Sequence, residues 1–258
     1  MWTERRLTAD GVPKSQHRFL ESLPMNDVEF VYFDLDDTLL DHQHAERKAL
    51  ADVRDRYLTI FGTLSVDELQ EQYHAINVPL WRRYADGEID KDTVQRQRFE
   101  QLLEAVEAPQ ANPALVGRYY MQRYGAHWQF IPGAQEAYEA VAEQVPVGVM
   151  TNGFAEVQAQ KLDEFPTLRE RADAVVVCED TGALKPDPQA FAHATEQAGV
   201  DVDEVLYVGD SYRSDVEGAQ NVGWRAAWYI RNGTNGQSTD ERGFAFDEWD
   251  TLVERVLA

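Results

Sequence analysis

Two aspartates stand two residues apart where a short apolar run gives way to Asp34-Leu35-Asp36-Asp37-Thr38. At the end of a strand, carboxylates at that spacing can point the same way and share a cation. An acidic turn also has an ordinary use as a solvated or capping segment. Three later segments follow apolar runs in the same manner. Thr151-Asn152-Gly153 combines a hydroxyl, an amide and a glycine that admits close backbone approach, a set suited either to an anion or to a plain turn. Leu184-Lys185-Pro186-Asp187-Pro188 fixes a lysine ahead of a proline, in a chain with five lysines in all. Gly209-Asp210-Ser211-Tyr212-Arg213-Ser214-Asp215 carries a second carboxylate pair, in which Asp215 reads equally as the N-cap of a following helix. These are the parts of a cation site beside an anion cradle.

Such groups act together only if the elements bring them to one place. Val28 to Phe33, Val145 to Met150, Ala174 to Cys178, Val205 to Val208 and Ala226 to Ile230 are short apolar runs that read as buried strands. Helical stretches lie between them, such as Pro188 to Ala198 closed by Gly199 and Asp215 to Val222 closed by Gly223. Strands alternating with helices imply right-handed crossovers and a parallel sheet covered on both faces. In open parallel sheets ligands bind at the carboxyl ends of the strands, so the four segments converge on one crevice.

The interval from His42 to His127 lacks such runs and reads as helices. Ala45, Ala49, Val53 and Tyr57 recur every four residues and stop at Gly62. Ser65 to Glu68 is a capping box that opens a helix with Leu69, Tyr73 and Ile76 on one face, and Asn112-Pro113 starts another. The chain therefore divides into an N-terminal extension, 1–27, an α/β core, 28–42 plus 129–258, and a helical insert, 43–128.

Asp and Glu number 46 against 24 for Lys and Arg, a formal net charge of -22. Long-range repulsion from phosphate backbones and acidic lipids disfavours a general nucleic-acid or anionic-membrane binder. No apolar run approaches a bilayer span and the first residues lack a signal-peptide core, so the chain reads as soluble and cytoplasmic. A single cysteine, Cys178, excludes an intrachain disulfide and a cysteine metal cluster. The acidity and scarcity of lysine point to a halophilic surface, on which salt screens the self-repulsion.

The ordered set Asp-x-Asp-x-Thr, a lone Thr after the second strand, Lys-Pro, and Gly-Asp with a further Asp five residues on resembles the haloacid dehalogenase superfamily of hydrolases from Val28 to Asp215. The resemblance implies a Rossmann-like, doubly wound core of strand order 3-2-1-4-5 with an inserted helical cap. Asp34 would be the nucleophile, forming an aspartyl phosphate, and Asp36 the general acid and base. Thr151 and Lys185 would hold the phosphoryl oxygens, with Thr38, Asn152 and Gly153 beside the substrate. Asp34, the Asp36 carbonyl and Asp210 would bind Mg²⁺, with Asp215 orienting Lys185 or a metal-bound water. Dehalogenases of this superfamily generally lack the second aspartate, so Asp36 favours phosphate esters. Phosphonate-cleaving members add a cap lysine, for which Lys48 and Lys91 are the candidates.

Within the insert, Asn77-x-Pro79-Leu80-Trp81-x-x-Tyr84-x-x-Gly87-x-Ile89 followed by Arg98-Phe99 is similar to the cap of bacterial pyrimidine 5′-nucleotidases in that superfamily. It implies a nucleoside 5′-monophosphate, with Trp81 and Tyr84 against a planar base and Asn77 or Arg98 at its polar edge. Trp81, Tyr84 and Phe99 read equally as the core of a helical bundle. Remaining alternatives are a phosphatase for sugar phosphate or phosphoglycolate, a phosphomutase, a dehalogenase, and an anion-binding regulatory protein that has lost turnover. The expected partner is a small phosphate ester, with the chain a monomer or homodimer.

Overall fold

The computed structural model describes residues 25–231 and 242–258. Six strands form one sheet: β1 (Phe30–Phe33), β2 (Val147–Thr151), β3 (Ala174–Val177), β4 (Val205–Gly209), β5 (Arg225–Tyr229) and β6 (Gly243–Phe246). All adjacent pairs are parallel, in the order β3-β2-β1-β4-β5-β6. Five strands and their order match the sequence expectation. The sixth was not foreseen, because Gly-Phe-Ala-Phe is four residues long and has no β-branched residue.

Between β1 and β2 the chain forms α1 (His42–Arg56), the short α2 (Leu58–Phe61), α3 (Val66–Ala85), α4 (Lys91–Ala105) and α5 (Pro113–Gly125), then α6 (Ala134–Ala142). After β2 come α7 (Ala155–Glu164), α8 (Pro166–Glu170), α9 (Cys178–Thr181) and α10 (Pro188–Ala198). A π-helical turn, Tyr212–Glu217, leads into α11 (Gly218–Asn221), and α12 (Trp249–Val256) ends the fold. Residues 1–24 of the expected extension lie outside the described residues. Met25 packs in the main core, and Met25–Asp27 form a single turn ahead of β1.

Alternation along the strands builds two cores. Val31, Phe33, Val149 and Val208 face α6 and α12, while Tyr32, Met150 and Tyr207 face α10. The Tyr32 ring lies over Gly148, where a Cβ would overlap it, and reaches the Ala194 carbonyl at 2.8 Å. A third core joins Ala45, Ala49 and Val53 of α1 to Tyr73, Leu102 and Tyr120, so the inserted helices pack as their own layer. Their ends follow local chemistry. Ser65 and Glu68 close the capping box at 3.2 and 2.8 Å, and Asn112 accepts from the Ala114 N–H at 3.0 Å ahead of Pro113. Helix α1 stops at Arg56, earlier than the expected Gly62, because Tyr57 leaves helical geometry.

The layer meets the core at two places. Where the chain leaves and re-enters the core, the Asp41 N–H donates to the Gln129 carbonyl at 2.9 Å and Arg231 Nη1 binds the Asp41 carboxylate at 2.6 Å. On the opposite rim, Lys91 pairs with Glu179 at 3.0 Å and with Glu156, and Arg213 pairs with Asp86 at 3.0 Å.

Candidate active site

Register places the chemistry. Phe33 lies opposite Val149 and Val208, so Asp34 emerges between the ends of β2 and β4, its N–H still bonded to the Val208 carbonyl at 2.8 Å. Lys185 stands at the centre, 2% exposed. Its ammonium donates to Asp34 Oδ1 and Asp215 Oδ1, both at 2.8 Å, to the Met150 carbonyl at 3.2 Å, and to the Tyr207 hydroxyl. Burial opposes its charge, but Asp215 and Asp34 outweigh that and hold its pKa well above the ordinary range.

Several residues expected beside the substrate are hydrogen-bonded within the protein. The Asn152 amide is engaged on both sides by the Lys185 backbone, at 2.8 Å each, which fixes the lysine, and the residue lines the cavity. Thr38 is fully buried and off the cavity wall, and its hydroxyl lies 3.4 Å from Asp34 and 3.3 Å from Asp210, bracing the two carboxylates. Tyr84 is also absent from the wall: its hydroxyl donates to Glu179 at 2.9 Å and its ring packs edge-on to Phe154, because α3 carries it past the cavity to the rim. Asp215 is not an N-cap. Ser211 holds that position, and Asp215 turns back to accept the Ser211 N–H at 2.9 Å across Gly209, where a Cβ would overlap its carboxylate.

Asp34, Asp210 and Asp215 each offer a carboxylate oxygen within 4.8 Å of the others. Burial and the Asp215 and Asp36 charges push Asp34 up to about 7 against the pull of Lys185. Burial and the same crowding of carboxylates hold Asp210 well above its usual value. One lysine does not balance this cluster, and an all-oxygen, electron-rich donor set suits a hard divalent cation. Asp215 is held by Lys185 and the Ser211 N–H, Asp34 by Lys185 and Thr38, and Asp210 shares the Thr38 hydroxyl, so the three carboxylates meet at one corner of the cavity.

A cavity of about 380 Å³ separates these groups from the inserted helices. Asp34, Asp36, Thr151, Gly153, Lys185 and Asp210 form its floor, and Glu46, Tyr73, His74, Asn77, Trp81 and Arg98 form part of its roof. Trp81 stacks on Phe154 with centroids 4.4 Å apart. Arg98 is buried against the rings of Phe99 and Tyr120, at 5.1 and 5.8 Å, and Phe99 belongs to the helical core. Glu46, fully buried, pairs with His74 at 2.5 Å. Lys48 is exposed and Lys91 is held at the rim, so neither lies on the cavity wall as a Schiff-base lysine would. His127 is structural, 2.7 Å from Asp52.

Several wall residues escaped the sequence reading, Glu46, His74, Gln158 and Lys161 among them. Gln158 and Lys161 share with Phe154 the cavity face of α7, at helical spacing of four and three. Gln158 Nε2 donates to Asp36 Oδ2 at 2.9 Å, and the Lys161 ammonium pairs with Asp36 Oδ1. Burial resists ionisation of Asp36, but Lys161, the nearby His42 and these hydrogen bonds outweigh it and lower its pKa. The available signal was rarity, since Lys161 is one of five lysines.

A doubly wound parallel sheet with paired carboxylates and a buried lysine at its carboxyl ends, roofed by helices inserted after the first strand, defines a class of α/β hydrolase. The chain belongs to the haloacid dehalogenase-like hydrolase family, whose model matches residues 28–223. The pyrimidine 5′-nucleotidase YjjG of Escherichia coli is 30% identical over 201 residues, covering 78% of this chain and 85% of that protein. Another pyrimidine 5′-nucleotidase, PynA of Streptococcus pneumoniae, is 28% identical over 237 residues, covering 89% and 97%. Among solved structures, that of the YfnB HAD-hydrolase of Bacillus subtilis, bound to magnesium, aligns with a TM-score of 0.75 at 26% identity over 90% of this chain and 99% of that one.

Proposed function

We propose that the chain is a Mg²⁺-dependent phosphomonoester hydrolase acting on nucleoside 5′-monophosphates, pyrimidine nucleotides preferred, through an aspartyl phosphate on Asp34. The observation that carries this is the separation of two carboxylates on one cavity floor: Asp34 on Lys185 beside the acidic cluster, and Asp36 on its own cation. An ionised Asp34 oxygen attacks phosphorus and the ester P–O bond breaks, while Asp36, having first taken a proton from solvent against the pull of Lys161, gives that proton to the leaving oxygen. Water then attacks phosphorus, gives a proton to Asp36, and the Asp34–P bond breaks to release phosphate. Lys185 and the Thr151 hydroxyl hold the phosphoryl oxygens, since phosphoryl transfer is catalysed mainly by positioning and charge.

Asp34, the Asp36 carbonyl and Asp210 would hold Mg²⁺, with Asp215 behind them. When bound, the ion neutralises phosphoryl charge as a Lewis acid. Residues 28–42 and 129–258 act as the catalytic core and 43–128 as a cap that excludes water. An aromatic roof at Trp81, with Asn77 and Arg98 buried beside it, suits a planar base with a polar edge. The pyrimidine 5′-nucleotidases among the relatives support the same choice. Among the described residues no helix is long and apolar enough to cross a membrane, and the net charge of -22 disfavours a nucleic-acid polymer.

The test is Mg²⁺-dependent phosphate release from nucleoside monophosphates and sugar phosphates in low and molar KCl, with Asp34→Asn alongside. Preference for UMP, dUMP or dTMP, and a loss of about 10³-fold or more in Asp34→Asn, is the expected result. Equal rates on sugar phosphates would remove the nucleotide assignment, and activity surviving in Asp34→Asn would remove the aspartyl phosphate.

A further inference from the structure

Lys161 is 1% exposed on the cavity face of α7, yet no step of the proposed chemistry uses it. A buried ammonium carries a heavy desolvation penalty unless it is paired. Its carboxylate partner is Asp36, whose other oxygen accepts from Gln158, one turn earlier on the same helix. One helix thus grips both oxygens of a carboxylate whose side chain is still 28% exposed at the cavity. Gln158 reaches it across Gly153, where any Cβ would overlap the amide. Aromatic rings confine the ammonium, with the centroids of Tyr124 and Trp128 at 5.3 and 5.8 Å. Both belong to the return from the helical layer, and the Tyr124 hydroxyl is hydrogen-bonded to His42 Nδ1 at 2.8 Å, at the start of that layer.

An ion pair of this kind is a poor source of stability, since apolar residues of similar volume often serve as well. Its partner is the one carboxylate that must meet the leaving oxygen. We infer that Lys161 is a positioning residue that, with Gln158, fixes the Asp36 carboxylate for proton transfer to the leaving group. This rests on the phosphatase reading. As the ester P–O bond breaks and the Asp34–P bond forms, the departing alkoxide takes a proton that Asp36 has first drawn from solvent; the Lys161 charge itself favours the carboxylate, so Lys161 aids the step through the geometry it imposes on Asp36 and touches neither phosphorus nor leaving group.

The test compares kcat/KM on uridine 5′-monophosphate, a poor alkoxide leaving group, with p-nitrophenyl phosphate, whose phenolate leaves with little help from a proton. The full chain is used with Mg²⁺, and kcat/KM is insensitive to the later hydrolysis of the phosphoenzyme. Lys161→Met should lose about 10²-fold on the nucleotide, as loss of a general acid does, and less than about fivefold on the aryl ester. Lys161→Arg should recover most of the nucleotide rate. In an Asp36→Asn background, adding Lys161→Met should change nucleotide kcat/KM by less than about twofold, the signature of one pathway. Gln158→Leu should give a smaller split of the same sign, which guards against misfolding of Lys161→Met. Equal loss on both substrates, unchanged rates, or effects that add in the double variant would each overturn the assignment. If the wild type releases phosphate from neither ester, the phosphatase reading falls and this assignment falls with it.

Discussion

Lys185 keeps two buried carboxylates from facing each other alone, and its worth is read best by removing it. Lys185→Met leaves Asp34 and Asp215 uncompensated, and stability should fall by about 3–5 kcal/mol in urea unfolding, together with activity. Stability unchanged within error would contradict the arrangement. His74 makes a different residue-scale prediction. Its hydrogen bond to Glu46 raises its pKa above 6.5, ahead of the opposing effect of burial. A raised folded pKa gives a contribution that is full below the unfolded value of about 6.5 and fades as pH rises through the folded one. In Glu46→Gln the His74 resonance should titrate at lower pH by NMR, and stability should lose its decline above pH 6.5; a resonance that does not move would refute the pairing. Legibility at this scale was uneven. Asp34, Asp36, Thr151, Lys185 and Asp210 announced themselves because each ends or follows an apolar strand. Lys161 did not, because a lysine within a polar helix reads as a surface residue until the fold turns that face toward Asp36.

Elements explain where the structure departs from what the residue pattern suggested. Strands β1 to β5 were visible as apolar runs because both faces of the sheet are covered, whereas the edge strand β6, Gly-Phe-Ala-Phe, lacks the valines that mark the equally short edge strand β3. Tyr84 was placed in the correct helix, but three residues beyond Trp81 the α3 axis has already carried it to the rim, an offset no one-dimensional pattern records. Asp215 sits in the π-turn that follows Ser211 and accepts the Ser211 N–H, a contact that an aspartate ahead of a helical run does not announce. The loop from β2 to α7 depends on Gly153 as a gap for the Gln158 amide. Gly153→Ala should displace that amide from Asp36, costing about 1–3 kcal/mol by overpacking and about tenfold or more in nucleotide turnover. Wild-type rates with this substitution would mean that the Gln158 contact is idle.

Across the whole molecule the excess of 46 acidic over 24 basic residues sets the response to solvent. Self-repulsion of that size weakens as ions screen it. The midpoint of thermal unfolding should climb by about 5 °C between low and molar KCl, roughly 2 kcal/mol for a chain of this size. A flat or falling midpoint would remove the halophilic reading.

The rim contacts between helical layer and core give that screening a second consequence. Lys91 with Glu156 and Glu179, and Arg213 with Asp86, are partly exposed ion pairs that shut the cavity on the side away from the chain crossings. If salt shores up the fold as predicted, the same screening should slacken these pairs, and the helical layer should part from the core more readily in brine even as unfolding becomes rarer. The expected outcome is a working salinity, above which further salt makes the protein sturdier and its cavity leakier.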